Sequence, residues 1–506
     1  MEGGFRHPPP YSFIIALQKK PIVFQWARIK EVIGTPSLKN HPIVHSITKL
    51  STHDIEKLTA ALDVSISPFF SEQELEELAR ETGFVRRESK IGGAVFLDLV
   101  VFNHENLKDQ SLNDLSIVLK EKHDIDISKQ SLHDRFNQSA VLFLKEAIEN
   151  LLASQLDTEQ YLFDLKGIDR ILSKDSVCFQ IDEQLQDIYP GSGGSGSKAA
   201  VRIQFEYDLL GGTINDLSLH AFNDQDASNS LETMELLQSG DLIIRDLAYV
   251  GMQALKAMIK RTVYYLCRLG TQVKVSEKRG DQFVEVRFCK IRHFMERQGL
   301  DRMEMTVYIG KEEKLKTRLI IHRLPDDEVA KRIRKARYNN KKKGRKALSK
   351  EYISRAYLNR FITNTDSARI PTEVVWNLYR LRWQIELTFK IWKSLCDIEK
   401  VKKVKQCRLE CYIYAKLILI MVGWRVVYKI AKNLFVLEGK ALSFYKSFKS
   451  LISSKIDALR EVFLCGTRRL DDFLRDFYRI SRIKHLLEKK KGKRTSLELL
   501  LSCSTN

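Results

Sequence analysis

The chain has 506 residues, and its 44% content of hydrophobic residues is enough to build more than one core. The 84 Lys and Arg residues outnumber the 64 Asp and Glu residues, and the resulting net charge of +20 favours a polyanionic partner, most often nucleic acid. The longest strongly apolar run, 417–424, is far shorter than the roughly 20 residues that span a bilayer. It therefore predicts a buried helix, and no membrane partner is expected.

The start of the chain shows no secretory pattern, and residues 1–40 have weak periodicity, which predicts a poorly ordered arm. Eight cysteines in so long a chain do not make the dense framework of a disulfide-rich protein. Together these features predict reduced thiols and a cytoplasmic location.

Residues 41–155 are predicted to form a helical DNA-binding domain. Capping boxes at 71–74 and 111–114 indicate helix starts. After a turn at 124–127, Ser128 begins a short polar helix, and this layout is typical of a helix-turn-helix, although similar helical hairpins also occur without DNA contact. The predicted outward side chains of the second helix, and hence the candidate DNA contacts, are Lys129, Gln130, His133 and Arg135.

From about residue 160 the pattern changes from helices to strands. The predicted elements are strands at 168–172, 199–210 and 217–222, a helix at 231–238, a strand ending at Asp246, a helix at 252–260 and a strand at 263–268. Three strands, a helix, a strand, a helix and a strand are the order of a mixed sheet. This order predicts an α/β fold with a ribonuclease H-like catalytic domain at 160–430.

Four polar residues in the stretch NLYRLRWQIELTFKIWKS are spaced for one face of a helix. Arg382, Glu386 and Lys393 fall roughly 60°, 20° and 40° to one side of Tyr379. A carboxylate beside two cations suits a site that binds a divalent metal and holds phosphate oxygens next to it. The alternative is a solvated, charged helix face.

Two further carboxylates, Asp175 and Asp246, are each predicted to end a strand. An isolated aspartate after a strand is usually a cap or a turn residue. Together with Glu386, however, they make a set of three, and neighbouring carboxylates repel each other unless cations stabilise them. The set predicts a site for two Mg²⁺ ions, with Mn²⁺ as an alternative, and such a pair suits an in-line phosphoryl displacement.

The chain resembles the bacterial insertion-sequence transposases of the DDE superfamily. It is most similar to the group with a Tyr-x2-Arg-x3-Glu-x6-Lys signature, often called the fourth insertion-sequence family. Tyr379, Arg382, Glu386 and Lys393 match this signature at every spacing.

Two shorter segments also resemble blocks of this family. Asp175-Ser176, followed by FQIDEQLQDIYPGSG, is similar to the first-aspartate block, with Val177 in place of the family's threonine. Asp182 and Asp187 are nearby rivals for the first position, but they lie beyond the predicted strand end. The segment DLAY, which begins at Asp246, is similar to the second-aspartate block.

The resemblance implies a cut-and-paste DNA transposase that acts on transposon ends and target DNA. It implies a homodimer in the synaptic complex, double-stranded DNA as the partner, and a place in the bacterial cytoplasm with the nucleoid. The implied catalytic and metal-binding residues are Asp175, Asp246 and Glu386, and the implied DNA phosphate-binding residues are Tyr379, Arg382 and Lys393.

The family also has a β-rich insertion before the glutamate, and strand-like runs predict one here at about 270–365. Family members with a tryptophan in this insertion stack it on a flipped base. No Trp occurs between Asp246 and Trp376, so Phe288, Phe294 or Tyr308 would have to replace it, or the DNA intermediate differs.

The rest of the chain is predicted to be helical, at 431–506. Its apolar stripe is either a dimer interface or ordinary core, and consists of Leu451, Ile456, Leu459 and Val462. Basic runs at 341–346, 400–405 and 489–494 favour contact with DNA phosphates. Two alternative functions are a metal-dependent nuclease of the same fold without strand transfer, and a non-catalytic DNA-binding protein derived from a transposase.

Overall fold

The structure is a computed structural model that describes residues 71–103, 109–153, 167–193, 196–224, 226–246, 251–270, 273–344, 347–465 and 470–488. The predicted arm at 1–40 and the basic run at 489–494 lie outside these residues. Within them the chain is a mixed α/β protein, in which one ten-stranded sheet carries a hydrophobic core on each face.

The N-terminal part of the described chain is helical, as its sequence predicts. Both predicted capping boxes are present, because Ser71 and Ser111 each accept a hydrogen bond from the backbone of the acidic residue three positions later. Asp124, in the left-handed conformation with φ 53°, ends the third helix. The helices are α1 (Glu72–Glu81), α2 (Gly93–Leu97, continued by a π-helical turn at Asp98–Phe102), α3 (Leu112–His123), α4 (Lys129–Arg135) and α5 (Gln138–Ala153).

The first half of the sheet has the predicted order of elements. They are β1 (Ile171–Gln180), β2 (Ala200–Asp208), β3 (Ile214–Ala221), α6 (Asp226–Glu232), β4 (Leu242–Arg245), α7 (Met252–Lys260) and β5 (Tyr264–Arg268). The helix predicted at 231–238 begins earlier, at Asp226, and is followed by a 3₁₀ turn at Thr233–Leu236. β4 is parallel to both β1 and β5, whereas β1, β2 and β3 form an antiparallel meander.

The strand-like runs between 270 and 325 are strands in the structure. This segment contains β6 (Val275–Arg279), β7 (Gln282–Glu285), α8 (Phe288–Arg297), β8 (Arg302–Ile309), β9 (Leu315–Arg323), α9 (Asp326–Lys342), α10 (Lys350–Ala356) and β10 (Leu358–Thr363). Its strands extend the same sheet beyond β5, so that the order is β3-β2-β1-β4-β5-β10-β9-β8-β6-β7.

The four spaced polar residues do not lie on one continuous α-helix, and that expectation was wrong. The stretch forms α11 (Thr372–Arg380) and α12 (Trp383–Leu395), separated by Leu381 and Arg382. At this joint the backbone N–H groups of Leu381 and Arg382 bond to carbonyls three residues earlier, at 3.0 and 3.2 Å, which is the tighter 3₁₀ pattern. The two residues keep helical dihedral angles, so the chain continues in the same helical sense from α11 into α12.

The C-terminal part of the described chain is dominated by α13 (Gln406–Glu438), which is long and apolar enough to cross a membrane by length and composition alone. However, 83% of its apolar window is buried inside the protein, which confirms the prediction of a buried helix. The N-terminal helix α5 packs along α13, and their side chains belong to one core cluster. The division into separate domains stays a prediction.

The last helices are α14 (Phe444–Ser454), α15 (Ile456–Arg460) and α16 (Leu470–Lys484). α14 and α16 pack onto α13, and α15 packs against α14. The apolar stripe of this region is core, because Leu451, Leu459 and Val462 are buried and Ile456 packs against the same cluster.

Candidate active site

The sheet brings Asp175 and Asp246 side by side. In the parallel ladder between β1 and β4, Lys174 is the partner of Arg245, and the two aspartates are the next residues on each chain. Neighbouring strands lie about 4.8 Å apart, so the backbones of Asp175 and Asp246 are close to each other. The expectation that each aspartate ends a strand is right for Asp246 and wrong for Asp175. β1 continues beyond the end of β4 because it pairs with β2 as far as Gln180.

Side chains alternate between the two faces of a strand, so Asp175 and Asp246 lie on the face opposite to Lys174 and Arg245. The latter two are fully buried, and each pairs with a carboxylate, Asp216 or Glu206. The aspartates are thus directed to the face that carries α11 and α12. The side chain of Asp175 is 28% exposed, which leaves it open to a ligand.

One guanidinium joins two of the three predicted metal ligands. Arg382 Nη2 donates a short hydrogen bond to Glu386 Oε1, and Arg382 Nη1 lies 3.7 Å from Asp175 Oδ2. Arg382 is at the joint between α11 and α12, and Glu386 is one turn into α12. From this joint the guanidinium reaches both Glu386 on α12 and Asp175 on β1.

The electrostatics place Asp246 in the same cluster. Burial raises the pKa of the Tyr379 hydroxyl to about 12, and the charge of Asp246 contributes to the rise. The Arg382 pKa is also raised, against the effect of burial, by its hydrogen bond to Glu386 and by the nearby charges, including Asp246. Tyr379, Arg382, Glu386, Asp175 and Asp246 thus lie together, and they are called the catalytic cluster below after the role predicted for them.

Burial also raises the pKa of the Asp175 carboxyl, from its ordinary value of 3.8 to about 6. The backbone N–H of Ser176, at 2.9 Å, and the Arg382 charge oppose this rise, whereas Glu386 and Asp226 add to it. A carboxylate that is costly to ionise in the free protein gains most when a cation binds beside it.

Asp226, at the start of α6, is a fourth carboxylate near the cluster, and sequence reasoning missed it. It accepts hydrogen bonds from Arg202 at 2.6 Å, Gln204 at 3.0 Å and Ser176 at 3.1 Å, so its position is fixed by β1 and β2. Nothing in the local sequence distinguishes Asp226 from an ordinary helix-start aspartate.

The donor set fits a hard divalent cation in its chemistry. All three predicted ligands are carboxylates, the type that Mg²⁺ and Mn²⁺ prefer. Among the described residues, no three acidic, His or Cys side chains are gathered closely enough to form a ready metal site. Arg382 contacts both Asp175 and Glu386, so a cation held by these two carboxylates would have to displace the guanidinium.

Comparison with known proteins identifies the family of this chain. Residues 166–422 match the family model described as a transposase DDE domain. The transposase of insertion sequence element IS231F from Bacillus thuringiensis is 33% identical over 409 residues, which cover 78% of this chain and 84% of that protein. The chain belongs to the DDE transposase family.

Other relatives support this membership over most of the chain. The transposase of IS231E, also from Bacillus thuringiensis, is 32% identical over 86% of this chain and 92% of its own length. The transposase of IS1151 from Clostridium perfringens is 28% identical over 87% of this chain and 95% of its own length. The chain is thus an insertion-sequence transposase of the group with the Tyr-Arg-Glu-Lys signature.

The fourth signature residue of this DDE transposase, Lys393, forms an ion pair outside the group made by the other three. Its Nζ lies 3.0 Å from Glu399 Oε2, and its side chain is 40% exposed. The seven residues from Glu386 to Lys393 are about two helical turns, or roughly 10 Å along the axis, so the lysine lies beside the catalytic cluster and not in it.

The rivals for the first aspartate position have other roles or surroundings. Asp182 accepts a hydrogen bond from the Gln184 backbone N–H at 3.0 Å and caps the 3₁₀ turn Glu183–Leu185. Asp187 is exposed in the following turn. The pairing of β1 with β4 sets Asp175, and not these two residues, beside Asp246.

Of the four residues expected to face outward from α4, Lys129 and Gln130 are exposed. His133 is half-buried and lines an open cavity with Asp182, Lys403 and Arg408. Arg135 does not face outward. Its Nη2 donates to the carbonyl of Ile91 at 2.7 Å, and its guanidinium lies 4.1 Å from the centre of the Phe84 ring.

Arg135 is thus held among the N-terminal helices, and the expectation that it faces outward was wrong. Its contact with DNA stays a prediction. Helical spacing put it on the polar side of α4, but the packing of α4 against the segment around Phe84 and Ile91 covers that position. Whether α3 and α4 act as a helix-turn-helix stays a prediction.

The three aromatic candidates in the insertion differ in exposure. Phe294 is 43% exposed, whereas Phe288 is 1% exposed and two guanidiniums, Arg355 and Arg360, lie over its ring. Tyr308 packs edge-on against Phe283 with the ring centres 4.9 Å apart. Phe288 therefore has no free face for a base.

Proposed function

We propose that this chain is a cut-and-paste DNA transposase that cleaves transposon ends and joins them to target DNA. The observation that carries the proposal is the catalytic cluster, in which the Arg382 guanidinium contacts Asp175 and Glu386, and the sheet register sets Asp246 beside Asp175. The strand order β3-β2-β1-β4-β5, with β4 parallel to its two neighbours, supports a ribonuclease H-like core.

Asp175, Asp246 and Glu386 would hold two Mg²⁺ ions, or Mn²⁺ in their place. When bound, the ions supply an activated oxygen nucleophile and neutralise charge on the transferring phosphate. The protein's own contribution is positioning and electrostatic stabilisation.

In this proposal Arg382 changes partners. It neutralises Asp175 and Glu386 in the free protein, and it turns to the oxygens of the scissile phosphate once cations take over that task. A guanidinium fork fits two phosphate oxygens at once. Tyr379 stays un-ionised, since its pKa is raised to about 12, and its hydroxyl can donate to a phosphate. Lys393 would exchange Glu399 for a more distant phosphate of the same strand.

The partner in this proposal is double-stranded DNA, from the transposon ends and from the target, bound in the bacterial cytoplasm with the nucleoid. A homodimer would hold two ends in the synaptic complex. Lys129 and Gln130 on α4 would read the end sequence, because they are exposed and can reach base edges.

The test replaces Asp175, Asp246 and Glu386 singly with Ala, and measures end binding, end cleavage and strand transfer. Each variant should lose cleavage while end binding stays nearly intact, because DNA binding is spread over many cations. Asp182→Ala is the matched control, since Asp182 caps a turn outside the cluster.

Cleavage that survives in Asp175→Ala but is lost in Asp182→Ala would move the first metal ligand to the turn and contradict the proposed site. Cleavage by the wild type without joining to a second DNA would indicate a nuclease. End binding without any cleavage, in the presence of Mg²⁺ or Mn²⁺, would indicate a DNA-binding protein without catalysis.

A further inference from the structure

Helix α9 is unusual because so little of it is buried. It has 17 residues and is therefore about 25 Å long, yet Val329 is its one buried side chain. Its acidic residues are confined to the first turn. The remainder exposes Arg334, Lys335, Arg337, Lys341 and Lys342. A charged, solvated helix is common, so α9 alone identifies no ligand.

A group of four arginines, Arg268, Arg332, Arg355 and Arg360, lies at the base of α9 and is called the arginine cluster below. Arg355 and Arg360 lie over one aromatic ring, with guanidinium carbons 5.2 and 4.8 Å from the centre of Phe288.

The other two arginines are tied to β10. Arg332 Nη2 donates to Asn359 Oδ1 at 2.8 Å, beside Arg360 in sequence. Arg268 is the ladder partner of Phe361, the next residue on the other side of Arg360. Cations from β5, α9, α10 and β10 therefore lie near one another along β10, and the charges of the other three all act on Arg360.

The arginine cluster has little negative charge of its own. Glu351 bonds to Arg355 at 3.1 Å and also accepts from two backbone N–H groups of α8. Arg360 is only 7% exposed, and among the described residues its Nε and Nη1 atoms have no hydrogen-bond partner. Burial and the neighbouring arginines lower the pKa of Arg360 to about 10.

A buried guanidinium without a carboxylate is costly, and the contact with an aromatic ring offsets only part of that cost. An anion with several acceptor oxygens would satisfy the free N–H groups and neutralise the cluster. Phosphodiester oxygens have this chemistry, and the planar guanidinium fork matches them.

We propose that the arginine cluster and the exposed cations of α9 form a binding surface for backbone phosphates of the transposon-end duplex. The surface adjoins the active site, because Arg268 is the ladder partner of Phe361, whose ring centre lies 5.0 Å from that of Tyr379. It extends from there along α9, so one duplex can contact both. Lys and Arg contacts to phosphates carry no sequence information, so this surface would hold the end, and other residues would identify it. The inference rests on the proposed function for the identity of the DNA.

The test measures binding of a labelled end duplex by fluorescence anisotropy, in EDTA, between about 50 and 200 mM salt. The α9 variant carries Arg334→Gln, Arg337→Gln and Lys341→Gln. The matched control removes three exposed charges elsewhere, by Lys145→Gln, Lys449→Gln and Arg479→Gln. Arg360→Met tests the arginine cluster while keeping the volume of the side chain.

Each lost phosphate contact lowers the slope of log K against log salt by about 0.9, so the α9 variant should lower the slope by about 2 to 3. Arg360→Met should lower the slope by about 1, and the control variant should change the slope by less than the roughly 0.9 expected for one phosphate contact. Circular dichroism and thermal unfolding establish that each variant is folded. If Arg360→Met does not fold, Arg332→Gln takes its place, because that side chain is only partly buried.

Equal slopes for the α9 variant and the control would reduce the effect to net charge and overturn the proposal. Normal end binding with impaired joining to target DNA would assign the surface to the target duplex and also overturn it. An unchanged slope in folded Arg360→Met would remove the arginine cluster from the surface. Because binding is measured without catalysis, failure of the proposed transposase chemistry would appear separately, as a wild type that binds ends without cutting them.

Discussion

Replacing Asp175 with Asn should stabilise the metal-free protein while abolishing its catalysis. Burial raises the pKa of Asp175 from its ordinary value of 3.8 to about 6, so ionising this carboxyl in the folded state costs free energy at neutral pH. At about 1.4 kcal/mol for each unit of pKa, the full cost is about 3 kcal/mol. Since the side chain is 28% exposed, water screens part of it, and we expect a gain of about 1 to 3 kcal/mol for Asp175→Asn at pH 7.5.

The sign of the pH dependence follows from the raised pKa. In the wild type the protonated form of Asp175 stabilises the fold fully below pH 3.8, and this contribution is lost as the pH rises through about 6. The advantage of Asp175→Asn should therefore be near zero at pH 4 and largest above pH 7. Mg²⁺ should reduce the difference in stability between Asp175→Asn and the wild type, because the cation stabilises the wild-type carboxylate.

The assay is thermal unfolding in EDTA at several pH values, where about 1 kcal/mol corresponds to roughly 2–4 °C for a cooperative unit of 150–250 residues. Asp187→Asn is the control, since it removes a carboxylate from an exposed turn. An Asp175→Asn protein that is no more stable than the wild type at pH 7.5 would refute the reasoning. It would show that the contact with Arg382 stabilises the ionised carboxylate more than burial destabilises it.

Three further predictions concern arginines. Arg382→Lys should still lower end cleavage and joining at fixed Mg²⁺ and salt, because a lysine cannot make the bidentate phosphate contact; wild-type rates would mean that Arg382 serves only the fold. Arg245→Met should destabilise the protein by about 3 to 5 kcal/mol in urea unfolding, because it leaves Glu206 buried without its cation, and Arg245→Met with Glu206→Gln should recover part of the loss. A stability loss no larger in the single variant than in the double variant would contradict this. Arg135→Ala should lower the melting temperature with little change in the ratio of specific to random DNA binding, whereas Lys129→Ala should lower this ratio with little change in the melting temperature. A changed ratio in Arg135→Ala would show that Arg135 contacts DNA.

Local sequence signals predicted the elements of this protein well. The capping boxes at Ser71 and Ser111 are present because their partners are three residues away, within one helical turn. The strands of the insertion were recognisable from alternating side chains, and the buried part of α13 from its apolar run. The spacing of Tyr379, Arg382 and Glu386 also carried the family assignment, since it depends on residues within two helical turns.

Contacts between distant segments could not be predicted in the same way. No local pattern shows that β1 extends beyond the end of β4. Because of this difference in strand length, Asp175 lies in the middle of a strand while Asp246, beside it, follows the end of one. Nor does helical spacing show that Arg135 is covered, because Phe84 and Ile91 reach it from another part of the fold.

The sequence by itself determined which residues could do chemistry, because residue type, net charge and short-range spacing are properties of the chain. The tertiary structure decided which of them meet. Strand register set Asp175 beside Asp246, the packing of α12 against β1 brought the Arg382 guanidinium to Asp175 and Glu386, and packing also brought Asp226 near them. Such positions depend on pairing between segments that are tens to hundreds of residues apart, and this pairing is fixed by the burial of the whole sheet and not by any single segment.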